Sequence, residues 1–277
     1  MFLSYVFGDG LGFIFDYTIG FVLKLLMRLI NFTLPSDYTL MFRGYFNQFY
    51  EGIKVTLFIS LVGTIVGFLI ALLLGYVRTI KVKKKDPLIT KILKNMLQVI
   101  VKTYVTVFRG TPMMVQAMII YYGMISVFGN KTTIAGLVIV TINTGAYLTE
   151  VIRGGIESVD NGQTEAARSL GFGSFKTMLI FIYPQAIKNS MAAIGNEFVI
   201  NIKDTSVLNV IGCVEMYYVV KTSASQDYNI MQQMIVLAFV YLVLTYSVTK
   251  ILNYIENKLN VPTSDLVSTN TLKTVKS

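Results

Sequence analysis

Long runs of apolar positions, separated by short polar clusters, divide this chain. The first uncharged run, 55–77, lies between Lys54 and Arg78 and is long enough to cross a hydrocarbon layer of about 30 Å. The same pattern predicts four more spans, at about 99–128, 132–151, 189–214 and 228–249, and hence an all-α membrane protein with five transmembrane helices. Gly63 and Gly67 form a GxxxG, and Gly75 adds a third small residue; they predict close helix packing and no ligand site. In the second span Gly110, Thr111 and Pro112 follow Lys102 and Arg109, and Pro112 should kink or break the helix. The third span carries Asn143, Thr144 and Glu150. Asn196, Glu197, Asn201, Lys203 and Asp204 interrupt the fourth.

The two ends differ from this pattern. Asp16, Gly20, Lys24 and Arg28 recur every four residues, which puts them on one helical face within 11–34. Such a polar stripe favours an interfacial amphipathic helix, with a sixth span as the alternative. Residues 35–50 are aromatic and turn-rich and predict an interface segment. We therefore divide the chain into an N-terminal extracytoplasmic or interfacial segment (1–49), a transmembrane domain (50–255) and a Ser/Thr/Lys-rich cytoplasmic tail (256–277).

Charge sets the orientation. Arg78, Lys81, Lys83, Lys84, Lys85, Lys91 and Lys94 face a single acid, Asp86, and a basic cluster beside a span belongs in the cytoplasm. The N-terminus is then outside, the loop 153–188 inside, and the C-terminus in the cytoplasm. Composition agrees with membrane residence: 54% of residues are hydrophobic and 14% charged, against about 25% charged in soluble domains. The net charge of +9 is accounted for by cytoplasmic loops, and nothing resembles a basic helix or aromatic platform for nucleic acid. The chain has no His and one Cys, Cys213, which excludes His-based triads, CxxC redox chemistry and clustered His/Cys metal sites. Cys213 reads as a small buried hydrophobe. The first 30 residues lack a basic n-region and a small-residue cleavage site, so no cleavable signal peptide is expected.

The cytoplasmic loop holds the most unusual stretch, 165–185. Thr164 to Leu170 predicts a short polar helix with Thr164 as N-cap, Glu165 in its first turn and Gly171 as the glycine that ends it. Apolar residues then run to Pro184, which should break the pattern before the next span. The segment 171–177, GFGSFKT, is not a phosphate-binding loop, because Phe175 stands where glycine must precede the lysine. Any ATP hydrolysis must come from another chain.

Glu165, Ala166 and Ala167, then Gly171, then Phe181, Ile182, Tyr183 and Pro184 resemble the EAA loop of ABC importer permeases. The family more often has Ile and Leu where this chain has Phe181 and Tyr183. FRGTPMMVQ at 108–116, GAYLTEVIRGGIESVDNGQTEAARSLG at 145–171, YPQAIKNS at 183–190 and NEFVINIKDTSVLNVIG at 196–212 resemble the polar amino-acid branch of the binding-protein-dependent permeases. The resemblance spans about 50–255. It implies the five-helix permease core of a type I importer in the bacterial inner membrane, with the loop helix seated in a groove of a cytoplasmic ATPase. Coupling would rest on Glu165, Ala166, Ala167 and Gly171. Implied partners are a second permease subunit (the same chain or a paralogue), two ATPase subunits, an external solute-binding protein and membrane lipid. No cofactor is expected on this chain; ATP and Mg would be held by the ATPase.

Candidate residues for the substrate path are Glu197, Asn196, Lys203, Asp204 and Gln116, because a zwitterion needs acceptors for its ammonium and donors for its carboxylate. The alternative is that these charges brace helices, and that Gln116 packs beside the Pro112 break. Glu150 is expected to pair with Arg153 three residues on. The expected function is the membrane subunit of an ABC importer for polar amino acids, itself not an enzyme. The alternatives are another importer cargo (an opine, osmolyte or small peptide), or a channel or secondary transporter.

Overall fold

The computed structural model describes residues 36–80, 82, 84–226 and 230–259, and within them it is helical with no strand. The expectations for 11–34 and for the residues from 260 onward lie outside the described residues. Ten α-helices follow in order: α1 Ser36–Thr79, α2 Leu88–Gly110, α3 Met113–Gly123, α4 Ile125–Phe128, α5 Thr132–Glu157, α6 Asn161–Ser169, α7 Ser174–Thr177, α8 Tyr183–Asp204, α9 Met216–Gln226 and α10 Ile230–Lys258. Among the described residues three helical stretches are long and apolar enough to cross a membrane: Asn47–Thr79, Thr132–Glu157 and Ile230–Lys258.

The remaining two expected spans are built differently. The stretch expected at 99–128 is divided between α2 and α3, because Thr111 is extended and Pro112 caps the next helix. The stretch expected at 189–214 starts within α8, which ends at Asp204, and continues as a 3-10 turn over Thr205–Ile211. Two other expectations change. Residues 36–50 are helical, not turn-rich, since no proline interrupts α1 over its 44 residues. Pro184 does not break the chain either. It lacks the N–H that the carbonyl of Ile180 would need, and a π-helical turn over Met178–Ile182 absorbs the missing bond and leads directly into α8.

Helix α1 packs most extensively against α5. The GxxxG expectation holds: a Cβ at Gly63 would come within 2.8 Å of Val140 Cγ1, and one at Gly67 within 3.1 Å of the Gly145 nitrogen. Three apolar clusters surround this pair. Phe49, Ile53, Met216 and Val240 join α1 to α9 and α10. Ile59, Ala117, Ile139 and Leu208 join it to α3, α5 and the 3-10 turn. Ala71, Leu148, Ile152, Ile182 and Ala186 join it to α5, the π-turn and α8. Cys213 is buried among apolar neighbours, as its sequence context suggests.

Helices α5 and α8 run antiparallel, since Thr144 meets Asn201 while Val151 and Gly155 meet Ser190. At that second crossing a Cβ on Gly155 would lie 2.1 Å from Ser190 Oγ and 2.7 Å from the Ala186 carbonyl, whereas one on Gly154 meets nothing within 4 Å. Gly155→Ala should therefore cost about 1–3 kcal/mol through overpacking against backbone. Thermal unfolding in detergent should show Gly155→Ala melting below wild type and Gly154→Ala at or above it. Equal melting of all three would contradict this crossing.

Candidate functional site

Helix α6 begins one turn earlier than the sequence suggests. Its N-cap is Asp160, whose carboxylate accepts the Gly162 N–H at 2.5 Å, and not Thr164, so Glu165 sits in the second turn. The C-terminal end follows the expected glycine rule. Gly171 has φ +84°, its N–H meets the Arg168 carbonyl at 2.9 Å, and the Phe172 N–H meets the Ala167 carbonyl at 3.1 Å. This is the paired hydrogen-bond pattern of a Schellman end, which only a left-handed residue allows. Ala167 is the buried residue of α6, while Glu165, Ala166, Ser169 and Leu170 are exposed. The helix presents most of its surface outward and is tethered on one side.

The tether explains both aromatic departures from the motif. The Phe172 ring meets Phe181 edge to face at 5.0 Å between centroids, and the Tyr183 hydroxyl donates to the Leu72 carbonyl of α1. Arg168 Nη2 also donates to Ser174 Oγ at 3.1 Å. Upstream, Glu150 pairs with Arg153 as expected, Nε to Oε2 at 2.8 Å. Arg78 of α1 takes the other carboxylate oxygen through Nε and Nη2 at 3.2 and 3.1 Å, and Arg153 also reaches Glu157 at 2.6 Å. The end of α1 is thus clamped to the end of α5, one short turn before α6.

The path candidates separate into distinct environments. Gln116 is buried, and its amide spans the Pro112 break: Nε2 donates to the Phe108 carbonyl at 2.9 Å, to the Thr111 carbonyl at 2.9 Å and to Thr111 Oγ1 at 2.8 Å. Proline at 112 has no N–H, so the Phe108 carbonyl lacks its helical partner and Gln116 supplies one. Asn143 Nδ2 donates to Gln116 Oε1 at 2.8 Å, which fixes this suture to α5. Glu197 is buried on α8, and Asp204 is half-buried at its end. Lys203 is exposed and is not brought to Glu197. Asn196 faces away from Glu197 and lines a cavity of about 420 Å³ between α8 and α10, with Glu256, Asn253 and Asn257.

Other polar residues have structural roles that the sequence did not single out. Asn201 Nδ2 donates to Thr64 Oγ1 at 2.8 Å and to Thr144 Oγ1 at 2.9 Å, joining α1, α5 and α8 at one point. Glu215 is fully buried and accepts the Tyr217 and Tyr218 N–H groups at 2.8 and 2.7 Å, capping α9. Polar residues inside an apolar run were the available signal, and here they mark helix junctions, since such side chains hydrogen-bond across helices. Among the described residues no cluster of three or more His, Cys, Asp and Glu is arranged to hold a metal ion.

Comparison with known proteins supplies the context for this geometry. Residues 89–261 match the family described as binding-protein-dependent transport system inner membrane component. The putative glutamine transport system permease protein of Rickettsia bellii is 35% identical over 214 residues, covering 76% of this chain and 92% of that protein. The arginine transport system permease protein of Bacillus subtilis is 33% identical over 211 residues, covering 76% and 91%. Among solved structures, an amino acid ABC transporter crystallised with histidines matches with a TM-score of 0.68 at 31% identity, over 81% of this chain and all of that one.

The suture at Pro112 is directly testable. Gln116→Leu removes the short donor to the Phe108 carbonyl, leaving it only the long Asn143 Nδ2 contact at 3.4 Å, and should cost about 1–3 kcal/mol of stability. Because Gln116 and Asn143 share one hydrogen bond, adding Asn143→Leu should cost less than the sum of the two single changes. Strict additivity in a double-mutant cycle of unfolding would rule out the shared suture.

Proposed function

The chain belongs to the family of binding-protein-dependent transport system inner membrane components, and from that premise we propose that it is the permease subunit of an ABC importer for polar amino acids. It is a transport subunit and not an enzyme; its family works with a separate ATPase and a binding protein. The glutamine and arginine permeases among its relatives support a polar amino-acid cargo. In our reading two permease subunits, identical or paralogous, assemble with two cytoplasmic ATPase subunits that hold ATP and Mg, while this chain holds neither. In the same reading the chain crosses the bacterial inner membrane five times; the basic cluster at 78–94 supports a cytoplasmic place for that loop, and with it the N-terminus outside and the C-terminus inside.

The observation that carries this reading is the outward face of α6, ended by Gly171 and tethered through Phe172 and Tyr183. Ala166 permits close approach of a partner surface, and Glu165 offers an acceptor to a backbone or basic donor. Closure of the ATPases around ATP would drag the docked helix. The clamp of Arg78, Glu150 and Arg153 would pass that movement to α1 and α5. Such a switch works only if ATP favours the closed arrangement by a differential free energy, so a loosely docked helix wastes the hydrolysis.

Glu165→Lys places a cation on the docking face. It should lower recovery of the ATPase with this chain, or leave ATP hydrolysis running without substrate uptake. Wild-type recovery together with wild-type uptake in proteoliposomes would remove α6 from the coupling role.

A further inference from the structure

The cavity of about 420 Å³ between α8 and α10 has no part in the coupling account. Helix directions fix which end of the molecule it occupies. Gly63, Gly67 and Gly75 of α1 meet Val140, Gly145 and Ile152 of α5 in that order, so these two helices are parallel. Helix α10 shares their direction. Val236 and Val240 near its start pack with Phe49 and Ile53 in the first half of α1, whereas Leu252 and Glu256 near its end reach Gly195 of α8. Helix α8 runs against all three, and α10 ends on the side where α6 follows α5.

Two helix faces form the walls. On α10 Thr249, Leu252, Asn253, Glu256 and Asn257 fall on one face over about two turns, a rise of about 12 Å, and Ala192, Asn196 and Val199 do the same on α8. Among the described residues the side chains of Asn196, Asn253, Glu256 and Asn257 make no hydrogen bond or ion pair. Glu256 also has no basic residue three or four positions away to pair with on its own helix. Its carboxylate is nevertheless held in place. A Cβ on Gly195 would stand 3.3 Å from Glu256 Oε1, so the bare glycine lets the half-buried acid lie against α8. Beside this polar face Ile251, Ile255 and Leu259 recur every four residues and are exposed. In a membrane that stripe meets hydrocarbon chains.

We propose that this cavity is a site for the headgroup of a phospholipid that ends in a primary ammonium, as phosphatidylethanolamine does. Glu256 accepts from the ammonium, the amide groups of Asn196, Asn253 and Asn257 donate to the phosphate oxygens, and an acyl chain follows Ile251, Ile255 and Leu259. An ammonium brings three donors and no acceptor, a carboxylate only accepts, and a carboxamide does both, so the set fits a zwitterion in which phosphate and ammonium are joined. A headgroup with phosphate alone meets the Glu256 charge unfavourably, and a quaternary ammonium has the charge but no N–H to donate. Bridging α8 to α10, the lipid ties the last long span to the helix that follows the coupling loop. The site needs a membrane around the helices and is independent of the cargo.

Native mass spectrometry of the full-length chain in complex with its ATPase, in detergent, reads lipid retention directly. Phosphatidylethanolamine, phosphatidylcholine and phosphatidylglycerol with identical acyl chains are added at equal concentration. Wild type should retain the ethanolamine lipid about fivefold over the other two, the scale of one partly exposed ion pair. Glu256→Gln should erase that preference and leave retention of the choline lipid unchanged. Asn253→Leu alters an exposed side chain and should also weaken retention of the ethanolamine lipid, which keeps the site testable if the Glu256 variant fails to fold. Soluble phosphoethanolamine in large excess, which has the polar groups without the chains, should not displace the lipid. Equal retention of all three lipids by wild type, or a wild-type preference in both variants, would overturn the site. Displacement by soluble phosphoethanolamine would overturn a lipid as its occupant.

Discussion

The carboxamide of Asn201 joins three helices at one point, and the positions of the other polar contacts follow from it. Its two donor bonds, to Thr64 and Thr144, set the register of α1, α5 and α8. In hydrocarbon there is no water to compete for these groups, yet such bonds average only about 0.6 kcal/mol because unfolded helices also find partners in the membrane. Their value is positional. Close approach at Gly67 and Gly145 brings the helices near enough for short side chains to meet, and dispersion along that seam supplies most of the cohesion.

From this junction the structure extends in two directions. Along α5 toward its C-terminal end, Glu150 receives Arg78 and Arg153, so the ends of two long helices move together. Helix α6 follows immediately, with Ala167 turned inward and its remaining face free to meet a partner. Along α2 the Pro112 break leaves backbone carbonyls without helical donors, and Gln116 with Asn143 closes that gap. Irregular backbone at membrane depth is tolerated only where protein groups satisfy it or a cavity is lined by it. The suture at Gln116 provides the first of these.

Local physics made part of this legible in the sequence. Gly171 as a helix end and the pair of Glu150 with Arg153 depend on neighbours within a few residues, and the GxxxG seam on a local pattern of small residues that marks one close-packing face; all three are present. The cap at Asp160 was missed because Thr164 satisfies the same local rule, and the rule does not choose between two candidates one turn apart. Arg78 was invisible as a partner of Glu150 because 72 residues separate them. Pro184 looked like a break because a π-turn that spares its missing N–H has no signature in composition. Polar residues of the second and fourth spans were visible as interruptions, but only the tertiary structure separates Gln116 and Asn201, whose amides are occupied, from Glu197, which is unpartnered among the described residues.

The central claim is that α6 is the surface through which a separate ATPase acts on this chain. A single cysteine at Ala166, in a Cys213→Ala background, can be treated with a short thiol-to-amine crosslinker in membranes containing both proteins. The control is a cysteine at the exposed Lys131, at the opposite end of α5, about 39 Å away along a helix of 26 residues. The account predicts an ATPase adduct from position 166 and none from position 131. No adduct from 166, or equal adducts from both positions, would contradict it.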